Sequence, residues 1–187
     1  FWSTPRGLAT GDGSGRFPAV DRLDLARHGR RLAGDFDLGS VDPPDPATLV
    51  VEAVELALAK FAAPDVVAEL HDARAVVAGG ARHLTKRVLF PVRFLYTEAT
   101  GEIGENDAAV DWYLGTDLPG RDLVAAARRW RTDPVEPEAA TALVADGLVA
   151  LWLTFVDRHI AAAARRDRAD LVVGLTDWRA ALVADPT

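Results

Sequence analysis

From residue 46 onward, apolar positions recur every three or four residues, the interval that gathers them on one face of an α-helix. Asp45 and Pro46 suit an N-cap and a first helical position, and Leu49, Ala53, Leu56 and Lys60 follow at helical spacing, which predicts a first helix. A second helix is expected over residues 64–78, ended by Gly79-Gly80, and a third over residues 83–100, where Val88, Val92, Leu95 and Tyr96 share a face. Pro91 interrupts the third. A proline inside a helix costs about 3 kcal/mol, so this helix is expected either to bend near Arg87 or to begin near Phe90. Residues 107–114, closed by Gly115, and residues 119–131 read as a fourth and a fifth helix. The longest pattern covers residues 137–166, with Leu148, Leu151, Trp152, Phe155, His159 and Ala163 marking one face, as the spine of a bundle would.

Residues 1–45 follow another pattern. Gly7, Gly11, Gly13, Gly15, Gly29, Gly34 and Gly39 break any long helix, so short strands are expected: residues 17–25, a turn at His28-Gly29, and a second extended piece over residues 30–33. Asp42-Pro43-Pro44-Asp45-Pro46 then forms a stiff boundary, because proline fixes its own φ and keeps the preceding residue out of the helical region. The expected architecture is mainly α, an antiparallel helical bundle over residues 46–187 with a small β-containing segment over residues 1–45.

At 187 residues, 49% hydrophobic and 26% charged, the chain can bury a sizeable core, and its apolar runs read as too interrupted to span a bilayer. Neither a membrane nor nucleic acid is an expected partner, since a net charge of −7 opposes the basic footprint of polynucleotide binding. The pairs Arg30-Arg31, Arg128-Arg129 and Arg165-Arg166 read as solvated faces. There is no cysteine, which excludes disulfides, thiolate zinc sites and thiol nucleophiles and fits a reducing cytoplasm. The opening FWSTPRG lacks the basic, apolar and small-residue succession of a signal peptide, and the expectation is that further chain precedes it.

The candidate chemistry is sparse. GLATGDGSGRF, residues 7–17, is rich in small residues but leads into an extended stretch rather than the Gly-Lys-Ser/Thr and helix of a Walker loop, so it reads as a hairpin-like loop. No two of His28, His71, His83 and His159 stand at the spacing of a helical metal pair; His159 reads as a hydrogen-bonded bundle residue. Trp112, Trp130, Trp152 and Trp178 fit core positions or a stacking surface for a flat ligand. Asp107 and Asp111, four apart on one face, could hold a cationic ligand or complement the positive end of a helix.

Tyr96-Thr97, Thr100-Gly101-Glu102-Ile103, Asp107-Ala108-Ala109 and Trp112 resemble the C-terminal helical domain of aminoglycoside nucleotidyltransferases of the streptomycin and spectinomycin adenylyltransferase type. His28-Gly29-Arg30, Leu32, Gly34 and the proline-rich link look like the end of that family's nucleotidyltransferase domain, so the resemblance covers about residues 20–114. It implies transfer of AMP from magnesium-ATP to a hydroxyl of a small molecule such as an aminoglycoside. The implied cofactors are ATP and Mg2+. The family carries a lysine before the motif aspartate that reaches the nucleotide phosphates; Asn106 stands there in this chain and is the candidate cofactor contact, with Asp107, Asp111 and Trp112 as candidate substrate contacts. The family's metal-holding carboxylates form an Asp-x-Asp shortly after a Gly-Ser. Here Gly13-Ser14, Asp35-Phe36-Asp37 and Gly39-Ser40 supply the pieces in another arrangement, and no catalytic residue is assigned. The alternative reading is a non-catalytic helical module, derived from the same family, that binds a ligand or a protein.

Overall fold

The structure is a computed structural model that describes residues 2–4, 7–9, 18–29 and 42–184. It divides into two compact units, residues 1–45 and residues 46–187. In the first, strands β1 (Trp2–Thr4) and β2 (Gly7–Ala9) pair antiparallel with Trp2 opposite Ala9, and one helix follows, α1 (Ala19–His28). That helix corrects the strand expected over residues 17–25. The flanking glycines suggested extended chain, yet residues 19–28 contain no glycine or proline, and the run AVDRLDLARH closes at Gly29. The extended piece expected over residues 30–33, Gly13-Ser14, Asp35-Phe36-Asp37 and Gly39-Ser40 lie outside the described residues.

The second unit is a helical bundle. Among the described residues it contains α2 (Pro46–Phe61), α3 (Pro64–His71), α4 (Ala73–Ala78), α5 (Ala81–Thr100), α6 (Asn106–Leu114), α7 (Arg121–Arg129), α8 (Pro137–Ala164) and α9 (Ala169–Val183). The single helix expected over residues 64–78 is two. Asp72 leaves the helical region at φ −97° and ψ 87°, and its carboxylate accepts the Ala75 N–H at 3.0 Å, ending α3 and capping α4 in one residue. Helix α5 neither waits for Phe90 nor stops at Pro91. It starts at Ala81 and runs through the buried proline, because Val88, Leu89, Val92 and Leu95 bury on both sides of it and outweigh one missing backbone donor. α9 had no counterpart among the expected helices, although Leu171, Leu175, Trp178 and Leu182 recur at helical intervals and all are buried.

Helix α8, about 42 Å long at 1.5 Å per residue, is the spine onto which α2, α3, α4, α5, α7 and α9 pack. An 18-residue window of it has a mean hydropathy of 1.9, so by length and composition it could cross a bilayer, contrary to the sequence expectation. Eleven of its residues are buried in the bundle, Leu148, Leu151, Trp152, Phe155 and His159 among them. The Trp152 ring lies 4.9 Å from Phe61 of α2, 5.4 Å from Trp178 of α9 and 5.7 Å from Phe155, so one aromatic cluster ties three helices together.

Where α7 begins, it touches α8 backbone to backbone. Gly120, at φ 75°, and Gly147 approach so closely that a Cβ on Gly120 would stand 3.1 Å from the Gly147 carbonyl oxygen. Neither position has room for a side chain without a shift of the neighbouring helix.

Candidate functional site

The turn between α5 and α6, where the cofactor candidate stands, is built by hydrogen bonds along its length. The Thr100 hydroxyl donates to the Tyr96 carbonyl at 2.8 Å and accepts the Glu102 N–H at 3.1 Å. Gly101 takes the left-handed conformation at φ 71° that ends the helix, and the Arg93 guanidinium donates to the carbonyl of the buried Gly104. Burial pushes the Arg93 pKa down, with Glu105 opposing the change. Glu105 occupies the N-cap position of α6 with no side-chain capping bond, and the half-buried Asn106 is the first residue of the helix.

Past the turn, the exposed face of α6 meets α7. Asp107 accepts from Arg131 at 2.6 Å, and Asp111 accepts from Arg128 at 2.6 Å. The two carboxylates do share a face, as their spacing predicted, and each carries a guanidinium at its oxygen. A cationic ligand there would have to displace or bridge those arginines. Trp112 is half-buried and turned toward α5, edge-on to Tyr96 at 5.9 Å and to Tyr113 at 6.2 Å. The structure therefore groups Asp107 with Asp111 and groups Trp112 with the aromatic packing between α5 and α6. Tyr113 donates to the Pro119 carbonyl at 2.6 Å, and burial raises its pKa.

Two further polar features, at Glu98 and at Glu69, were not singled out by sequence reasoning, and between them His159 is the hydrogen-bonded bundle residue that was expected. Glu98 of α5, its side chain only 8% exposed, pairs with Arg165 at 3.1 Å and Arg158 at 3.2 Å on α8. Beside Arg158, the buried His159 donates from Nδ1 to the Phe155 carbonyl at 2.7 Å, stacks on the Phe155 ring and leaves Nε2 without a partner among the described residues. Burial lowers its pKa to about 4, with the Phe155 carbonyl and Glu98 opposing the change and Arg158 and Arg166 adding to it. Glu69 of α3 joins His83 at 2.5 Å and also Arg87, both from α5, and the Arg87 guanidinium sits 5.4 Å over the Phe61 ring. These partners are far apart in sequence. The one signal open to a reader of the sequence was the spacing of His83 and Arg87, four apart and so on one helical face.

A cleft of about 230 Å³ opens at the Gly120–Gly147 contact, lined by Leu118, Arg121, Asp122, Leu143 and Asp146 among others. Among the described residues no three of the histidines and carboxylates gather as a metal site, and Asp35 and Asp37 lie outside those residues. Comparisons of this chain with protein-family models, with curated proteins and with solved structures each give no match.

Proposed function

We propose that residues 46–187 form the substrate-side helical half of a nucleotidyltransferase-type protein, which transfers AMP from ATP to a hydroxyl of a small molecule such as an aminoglycoside. The segment over residues 1–45 is then the end of the nucleotidyltransferase domain. In such a transfer the acceptor oxygen bonds to the α-phosphorus, the bond from that phosphorus to the pyrophosphate oxygen breaks, and the hydroxyl proton leaves to a base. No base is assigned, because Gly13-Ser14, Asp35-Phe36-Asp37 and Gly39-Ser40 do not stand in the family's order. For the same reason no step is assigned to a metal.

The observation that carries this reading is the α5–α6 turn. The stretch whose residues resemble the family, Tyr96-Thr97 through Asp107, is a tied and capped junction that presents Asn106 and Asp107 at the start of α6. A second reading, a non-catalytic binding module, draws support from Asp107 and Asp111, whose charges are met by Arg131 and Arg128 rather than held open for a cationic drug. One assay separates the two: the protein is incubated with magnesium-ATP and a panel of aminoglycosides, and the drugs are weighed by mass spectrometry. A drug heavier by one AMP supports transfer. Unmodified drugs across the panel, with binding of a drug seen by tryptophan fluorescence, favour the module.

A further inference from the structure

Most cations of the helical unit fall into two groups, while Arg93 and Arg166 bond backbone carbonyls. Most arginines pair with a carboxylate, as Arg128 does with Asp111, Arg165 with Glu98 and Arg179 with Asp157. Lys60, Arg74, Arg82, Lys86 and Arg129 are exposed and have no acidic partner among the described residues. Four of these five lie at the end of α2, on α4 and on the first half of α5, and α2 and α4 each pack on α5. Lys60 precedes Phe61, whose ring lies 4.4 Å from Phe90 and beneath Arg87. Lys86 precedes Arg87, and Arg82 precedes His83 and stands one helical turn from Lys86 on the same side of α5. Arg74 is on α4, which packs on α5 and joins it through Gly79 and Gly80.

The local charge is one-sided. Residues 73–97 carry Arg74, Arg82, Lys86, Arg87 and Arg93 and no aspartate or glutamate, in a chain whose net charge is −7. Of the carboxylates on α3 and at its end, Glu69 is held by His83 and Arg87, and Asp72 caps α4; Asp65, at the start of α3, remains. We infer that this surface, built from the end of α2, from α4 and from the first half of α5, docks an acidic segment of a partner protein.

The chemistry selects that occupant. The four cations stand on three helices rather than converging on one point, so an elongated anion fits them better than a single phosphate. A polynucleotide would bring a charge to every backbone unit against a protein of net negative charge, which long-range repulsion disfavours. An acidic peptide carries its few charges on flexible side chains that can reach separate cations.

The test uses a fluorescein-labelled peptide with four glutamates spaced by glycine and serine, and fluorescence anisotropy on the purified chain at low salt. Binding is expected, weakening as salt is added, and about tenfold weaker in the double variant Arg82→Ala/Lys86→Ala, the size expected for two solvent-exposed ion pairs. Arg129→Ala, which removes an exposed cation without an acidic partner away from this surface, is expected to bind like the parent. Absence of peptide binding, an equal loss in Arg129→Ala, or tighter binding of a labelled single-stranded oligonucleotide than of the peptide would each overturn the assignment. Circular dichroism of the variants, all altered at exposed positions, confirms that they fold.

Discussion

Gly104 and Arg93 hold each other twice. The Arg93 guanidinium donates to the Gly104 carbonyl, and the Gly104 Cα presses on the Arg93 backbone so closely that a Cβ would overlap the Arg93 carbonyl oxygen. Helix α5 thereby grips the turn that follows it with both its main chain and a side chain. Gly104→Ala is expected to lower unfolding stability by about 1–3 kcal/mol through overpacking against a rigid backbone, measured by urea denaturation. A loss below a few tenths of a kcal/mol would show that the turn can move aside.

The pairs Asp107–Arg131 and Asp111–Arg128 lie in water, with the carboxylates 71% and 70% exposed. Asp107→Asn and Asp111→Asn should therefore each cost less than about 1 kcal/mol, and the cost should shrink as salt is added. If either aspartate instead holds an aminoglycoside, drug affinity will fall far more than stability, and comparing the two measurements separates the roles.

Glu98 is a different case, since its side chain is only 8% exposed while Arg158 and Arg165 keep access to water. Glu98→Gln removes the charge and leaves two arginines that can rehydrate, so a loss of roughly 1–3 kcal/mol is expected, larger than at Asp107 or Asp111. Thermal unfolding of the three variants side by side gives the order.

His159 sets a pH dependence. Its folded pKa of about 4 lies below the ordinary value of about 6.5, so between those pH values the unfolded chain binds a proton that the folded chain refuses. Acidification from pH 6.5 toward pH 4 should then destabilise the protein by on the order of 1 kcal/mol per pH unit, up to about 3 kcal/mol, with no further contribution below the folded pKa. His159→Phe should flatten that part of the profile relative to the parent, and identical slopes would show that other groups carry the acid sensitivity.

Much of the bundle was legible from periodicity alone. Leu148, Leu151, Trp152, Phe155 and His159 bury together because a 3.6-residue repeat is a local property of the chain, and Pro46 and Pro137 open their helices for equally local reasons. Local signals failed where two of them competed. Around α1 the surrounding glycines masked a short helix, and in residues 64–78 the apolar spacing hid the capping chemistry of Asp72. The partners of the candidate site were not legible at all. Asp111 meets Arg128 and Glu69 meets Arg87 only once separate helices are packed, and nothing in the spacing of either residue encodes the register of that packing.

The meeting of Gly120 and Gly147 bears on how the bundle can move. Where α8 meets α2 and α9 at Trp152, aromatic side chains lie between the helices. At Gly120 two main chains are in contact, and there is no rotamer to yield. The start of α7 therefore lies as near to the middle of α8 as two main chains allow. A side chain at either glycine would have to push the start of α7 away from α8, and the cleft that both line would change shape with it.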